Sequence, residues 1–300
     1  MKKIFVSTAC LKGDKSYERV LETYISAGIK YIELTGVHQY LKFDDLSKLI
    51  NEYKKKGIQF TFHNYFPPPK DPIVLNYLSK NKKDKKDSEE IISKAIKLAK
   101  ETQTSIYAYH PGYLREADIN KKGYFDFKGS SRIDFEEGLK IYKSDFINFY
   151  NKLNLDNGTF LGIENLFPND DGTNDSFLCT YEEIEKFFHS PEINSTNLCL
   201  LIDLGHLDIS SNILKFDRLD FIEKCIKNFG ERIFEIHISN NDGLRDLHSR
   251  ITKDSWQLEV LRKFSKTGSL NGETVFTYES RGLSIEQITE DIQLINSNLN

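Results

Sequence analysis

Cysteine is scarce and scattered in this chain of 300 residues. The four cysteines, Cys10, Cys179, Cys199 and Cys225, form no CxxC pair, so neither a disulfide framework nor a zinc–thiolate site is expected to organise the fold. No apolar run approaches the roughly 20 residues needed to span a bilayer. The opening MKKIFVSTACLKGDK returns to charge too soon for a signal peptide, so a cytoplasmic protein without membrane attachment is expected. Positive charge is not in excess either. The chain has 41 Lys and Arg against 45 Asp and Glu, a formal net charge of −4, whereas a protein that grips duplex phosphates usually carries a basic stripe. Nucleic acid is therefore not the expected partner. The one basic-rich run, KNKKDKKD at 80–87, reads as a solvated loop leading into a helix that begins at Ser88. No low-complexity linker divides the chain and no glycine-rich phosphate loop follows the first strand, so residues 1–300 are expected to form one domain.

Short β-branched and aromatic runs recur eight times, at 4–8, 31–36, 60–65, 105–112, 160–166, 198–206, 233–239 and 275–280. Several are almost continuously apolar, the pattern of parallel strands covered on both faces. Amphipathic stretches alternate with them at 16–27, 43–55, 88–103, 135–153, 181–189, 221–229, 255–264 and 284–296. Eight strand–helix repeats predict an α/β fold, a (β/α)₈ TIM barrel whose functional site lies at the C-terminal ends of its strands. The longest irregular stretch, 113–134, follows the fourth strand; loops beyond about 12 to 15 residues in a compact domain are usually functional or disordered.

Charged residues are costly to bury unpaired, so an apolar strand that ends in them needs something to satisfy them. Here the third strand ends in His63, the fourth in His110, the fifth in Glu164 and Asn165, the sixth in Asp203 and His206, the seventh in His237 and the eighth in Glu279, with Asp246 and His248 shortly after the seventh. Taken singly, each has an ordinary structural explanation. His63 or His110 would be a hydrogen-bonded histidine, Glu164 half of an ion pair with an arginine, and Asp203 with His206 a cap on the next segment. Nine such histidines and carboxylates at one end of a barrel point instead to a shared centre. Imidazole and carboxylate suit a divalent metal, Zn²⁺ or Mn²⁺ first, with Co²⁺, Fe²⁺ or Mg²⁺ also compatible, and no organic cofactor is called for. His38 and His189 lack this placement and read as structural.

The segments HNYFPPPKDPIVLNYLS, YHPG, GIENL, LIDLGH, HISNNDGLRDLHSRITKDSW and YES, in this order over about residues 1 to 290, resemble the xylose isomerase-like barrel superfamily, which includes sugar phosphate isomerases and epimerases and endonuclease IV. The resemblance implies Glu164, Asp203, His237 and Glu279 as the primary metal ligands. It also implies His206 as a substrate-side or second-metal ligand, and His63, His110, Asp246 and His248 as the completion of a multinuclear site. The D-x-H followed by Trp256 resembles the isomerase and epimerase branch. However, the usual His-Leu-Pro-x-Gly-x-Gly passage is HSRITKD here, so this loop must follow another backbone path. The first expectation is isomerisation or epimerisation of a sugar or sugar phosphate, with Glu164 and Glu279 as catalytic bases at a carbon next to a carbonyl. Tyr65 and Phe66 would form an aromatic wall and Trp256 would line the substrate. Arg115, Arg245 and Arg281, with Lys121, Lys122, Lys128 and Arg250, are candidates to hold a phosphate. The alternatives are multinuclear zinc cleavage of abasic DNA and a sugar-binding protein without turnover. The oligomeric state is left open.

Overall fold

Eight parallel strands close into a barrel in chain order: β1 (Ile4–Ser7), β2 (Tyr31–Leu34), β3 (Gln59–His63), β4 (Ile106–Tyr109), β5 (Phe160–Glu164), β6 (Cys199–Asp203), β7 (Ile233–Ile238) and β8 (Val275–Tyr278), with β8 pairing back to β1. The structure, a computed structural model, describes residues 3–13, 15–119, 125–127, 132–155, 158–266 and 274–299. This is the (β/α)₈ architecture that the strand–helix alternation predicts. Among the described residues no helix is long and apolar enough to cross a membrane.

Local chemistry fixes where several helices begin. Ser16 caps helix Tyr17–Ser26 by accepting from the Arg19 backbone N–H, and Thr180 and Glu183 form a reciprocal capping box on helix Tyr181–His189. The helix expected from Ser88 in fact spans Lys82–Thr102, capped by the Asn81 side chain. The charged run is helical because its signs alternate at i,i+4: Lys83 pairs with Asp87, Lys86 and Lys94 with Glu90, and Lys97 with Glu101. Ser88 is buried inside that helix and accepts from the Asn76 backbone N–H. A further helix, Leu204–Leu214, follows β6 directly. The sequence does not announce it, because it is mostly buried and shows no clear polar stripe. The irregular stretch after β4 carries a two-stranded antiparallel ribbon in which Asp118 is in register with Asp126 and Ile119 with Phe125. Lys121, Lys122 and Lys128 lie outside the described residues.

The apolar core lies mainly between barrel and helices, where the Tyr142 ring stacks on Phe177 at 5.4 Å between centroids. Inside the barrel the strand register decides what meets. A register shift in β6–β7 pairing at Leu200 and Leu201 brings Leu201 opposite Glu235 and Asp203 opposite His237, so acidic and imidazole side chains stand beside one another. The β2 and β3 ends approach so closely that a Cβ on Gly36 would sit 2.4 Å from the Tyr65 carbonyl oxygen. Backbone cannot give way as a flexible side chain can, so Gly36→Ala is expected to cost about 1–3 kcal/mol of stability. Urea denaturation checks this, and an unchanged midpoint would contradict so close an approach.

Candidate metal centre

Asp203 shows how one residue serves fold and site together. It ends β6, and its Oδ1 caps the next helix by accepting from the His206 backbone N–H at 2.7 Å. Its Oδ2 is buried without a hydrogen-bond partner and lies 3.7 Å from His237 Nδ1. Asn165 braces this corner: its amide donates to the Asp203 carbonyl at 3.2 Å and its Oδ1 accepts from the Asp203 N–H at 2.8 Å. The capping explanation of Asp203 thus holds for one oxygen, leaving the other for the centre.

Glu164, at the end of β5, is the hub. His63 Nε2 and His110 Nε2 lie 3.4 and 3.2 Å from its Oε2, and His206 Nδ1 lies 3.0 Å from its Oε1. None of these approaches has hydrogen-bond geometry, and the His206 Nδ1 is instead shared with the Asn165 carbonyl at 2.9 Å. Among the described residues no arginine pairs with Glu164; its titratable neighbours are the three imidazoles. Burial pushes its carboxyl up, but the His110, His63 and His206 imidazoles outweigh burial and hold it well below the usual carboxylate range. Burial holds His63 neutral, down at about 3.

A second knot surrounds His237 on β7. Its Nδ1 is 3.0 Å from Glu279 Oε2, and its Nε2 is 2.9 Å from Glu33 Oε2. Burial works against its protonated form, yet Glu33 and Glu279 draw its proton affinity well up. Burial pushes Glu33 up to about 8 despite the opposing His237. Glu33, on β2, is not among the residues expected from sequence.

The third group hangs on the loop after β7. An antiparallel pairing of Asn240 with Ser249 closes this loop, and Asn241 Oδ1 accepts from the backbone N–H groups of Leu247 and His248 at 2.7 and 3.0 Å. The Asn241 side-chain amide thus holds the turn through which the chain enters HSRITKD. His248 sits at φ 48°, a left-handed conformation that costs an L-residue about 1–2 kcal/mol. Its Nε2 is 2.8 Å from Asp246 Oδ2, and His206 Nε2 is 3.9 Å from the same oxygen.

These residues fit divalent metal. The side chains of Glu164, Asp203 and His237, and separately those of His63, His110 and Glu164, offer ligand atoms that lie within 4.8 Å of one another. Both Glu164 oxygens, Asp203 Oδ2, Asp246 Oδ1 and His63 Nδ1 are buried without hydrogen-bond partners. Such groups are costly unless a cation or proton compensates them. In the protein alone protons on His206 and His237 do so, both raised well above ordinary histidine. Metal would displace those protons.

The residues expected at the substrate are placed unevenly. Phe66 is fully buried against Phe62 and Tyr17, and the Tyr65 hydroxyl accepts from the Leu75 backbone N–H. Trp256 lies under the Arg218 guanidinium at 4.3 Å. Arg245 binds Asp242, Arg250 binds Asp291 and Glu290, and Arg115 faces Asp175 at 3.3 Å. The Arg281 side chain forms no ion pair among the described residues, and its backbone N–H donates to the His248 carbonyl. Phe167, which the strand-end pattern passes over, packs on the His206 ring at 4.7 Å between centroids. It follows GIENL directly, and that position is the available signal. His38 packs on Tyr17 and His189 on Phe229, and neither belongs to the ligand groups above.

Residues 21–292 match the family described as xylose isomerase-like TIM barrel. An uncharacterized protein of Methanocaldococcus jannaschii is 27% identical over 273 residues, covering 87% of this chain and 79% of the relative. Among solved structures, a D-tagatose 3-epimerase-like protein superposes with a TM-score of 0.70 at 22% identity, covering 100% of this chain and 97% of that one. Endonuclease IV from Thermus thermophilus gives 0.62 at 14% identity, covering 99% and 98%, and an L-ribulose 3-epimerase 0.63 at 15%, covering 99% and 86%.

Proposed function

We propose that this chain, which belongs to the xylose isomerase-like TIM barrel family, isomerises or epimerises a sugar or sugar phosphate by moving a proton at a carbon next to a carbonyl. The observation that carries the reading is the grouping of Glu164, Asp203 and His237, with Glu279 on the same Nδ1 edge of His237 as Asp203, around buried oxygens that lack hydrogen-bond partners. Glu164, Asp203, His237 and Glu279 would hold one divalent ion, of which Zn²⁺ and Mn²⁺ are the first choices. Such an ion would polarise the carbonyl and hydroxyl oxygens of the substrate. Glu164 and Glu279 stand on β5 and just past β8 with two strands between them, so each addresses the substrate from its own side. Both carboxyls are held below their ordinary range, against burial, by neighbouring imidazoles, so both are ionised, as metal ligands must be. One removes the proton and the other returns it on the opposite face, which inverts the carbon. The 3-epimerase names of two structural neighbours support a ketose as the substrate class. Arg245, Arg250 and Arg115 already face carboxylates, so among the described candidates a phosphate on the substrate would fall to Arg281.

The test is incubation of Zn²⁺- or Mn²⁺-loaded protein with a panel of ketoses and ketose phosphates in D₂O. Deuterium should enter at the carbon beside the carbonyl, and chelation should stop it while the melting temperature falls only modestly, because a barrel of this size has a core that does not depend on metal. No exchange with any sugar by the loaded protein would sink the reading. Unfolding on chelation would mark the centre as structural.

A second reading, metal-assisted cleavage of a phosphodiester, is favoured by the His63–His110–Glu164 and His206–Asp246–His248 groups, which are more than a single ion needs.

A further inference from the structure

The most unusual residue in the barrel interior is Glu33. It lies near the end of β2, in register with Ser7 and Thr61 on the flanking strands, and it is fully buried. Among the described residues no Lys or Arg pairs with it; its close charged partner is His237, whose Nε2 is 2.9 Å from Oε2, while Oε1 has no hydrogen-bond partner. A carboxylate in such a place contributes little or negatively to stability. Its geometry points to another use.

A neutral imidazole carries one proton, and the hydrogen bond made by one nitrogen decides what the other can do. On its Nδ1 side His237 faces Glu279 Oε2 at 3.0 Å and Asp203 Oδ2 at 3.7 Å, two acceptors that would draw the proton to Nδ1 and so block that nitrogen as a ligand. Only an acceptor on the other edge can oppose them. Glu235 is a poor choice, since it stands 3.7 Å away and its nearer oxygen accepts from the Thr277 hydroxyl at 2.6 Å. We infer that Glu33 is a positioning residue: it takes the Nε2 proton of His237 in a hydrogen bond and thereby presents the Nδ1 lone pair to the metal position among Glu164, Asp203 and Glu279.

This inference rests on the metal-centre reading, and the experiment separates the two. Wild type, Glu33→Gln and Glu33→Leu are titrated with Zn²⁺ against a competing chelator, with Co²⁺ absorption as a probe of ligand geometry and ¹⁵N NMR of the His237 ring as a probe of its tautomer. If wild type binds no ion, the metal-centre reading itself fails. With wild type binding, Glu33→Leu should lose about 10- to 100-fold in affinity, the range for lost outer carboxylate partners, and its His237, read in the metal-free protein at a pH high enough for the ring to hold a single proton, should carry that proton on Nδ1. Glu33→Gln, whose amide oxygen can still accept from Nε2, should lose less and keep the wild-type tautomer. Wild-type affinity in Glu33→Leu overturns the inference, as does equal loss in both variants with the tautomer unchanged. Should Glu33→Leu fail to fold, Glu33→Gln decides: an Nδ1-protonated ring there also overturns it.

Discussion

Glu164→Gln and Glu279→Gln are each expected to abolish turnover while leaving the fold intact. Each substitution keeps the volume and shape of a buried side chain and removes its charge. At Glu164 three imidazoles converge on the carboxylate. An amide there would turn an N–H group or a neutral oxygen toward them, so the hub loses its anionic oxygens. At Glu279 the lost charge is the one that His237 meets at 3.0 Å and that His248 Nδ1 meets at 3.8 Å. Loss of general-base action alone removes about 10²–10⁴ in rate, and loss of a metal ligand adds to it. Stability should fall, because removing one partner of a buried ionic cluster costs about 3–5 kcal/mol where the other charge stays, but the imidazoles can shed their protons and the barrel should remain folded. Circular dichroism and metal content would be read beside the rate constants. Wild-type turnover in either variant would remove that residue from the reaction.

The sequence disclosed the barrel because eight β-branched and aromatic runs alternate with amphipathic stretches, and it disclosed the mouth because the third to eighth strands stop at polar residues that parallel closure stacks together. The grouping of His63, His110, Glu164, Asp203, His206, His237, Asp246, His248 and Glu279 was readable in that second pattern. Glu33 was not. In YIELTG an acidic residue among apolar ones reads as an ordinary outward position, and only the pairing of Glu33 with Ser7 and Thr61 turns it inward. The helix start at Lys82 was hidden by charge, which resembles a loop until the i,i+4 pairs are matched by sign. Arginine partners were hidden by distance along the chain. Arg250 and Asp291 are 41 residues apart, and no local pattern shows that Asp291 takes the guanidinium while also accepting from the Tyr278 hydroxyl. That anchor also fixes the chain two residues beyond His248.

Abasic duplex DNA is expected neither to bind in a salt-sensitive manner nor to be incised, and this result separates the two enzymatic readings most sharply. Nine potential ligands speak for a multinuclear hydrolase, but ligands do not recruit a polyanion. An endonuclease must neutralise several phosphates, and with six to ten contacts its affinity falls by roughly 10³ to 10⁵ between 50 and 200 mM salt. The chain carries more acidic than basic residues overall. Near the mouth Arg245 is forked onto Asp242, Arg250 onto Asp291, and Arg115 and Arg132 both face the buried Asp175. Binding DNA through these side chains would first break ion pairs, with no gain in net charge. The measurement is incubation of Zn²⁺-loaded protein with an abasic duplex at low salt, following both binding and strand scission as salt is raised. Incision at the abasic site with a steep salt dependence, lost in His63→Ala and His248→Ala, would assign the centre to phosphodiester hydrolysis and displace the sugar reading. Absence of both, alongside deuterium exchange on a ketose, would leave the additional histidines as ligands to a substrate-side ion or as donors to sugar hydroxyls.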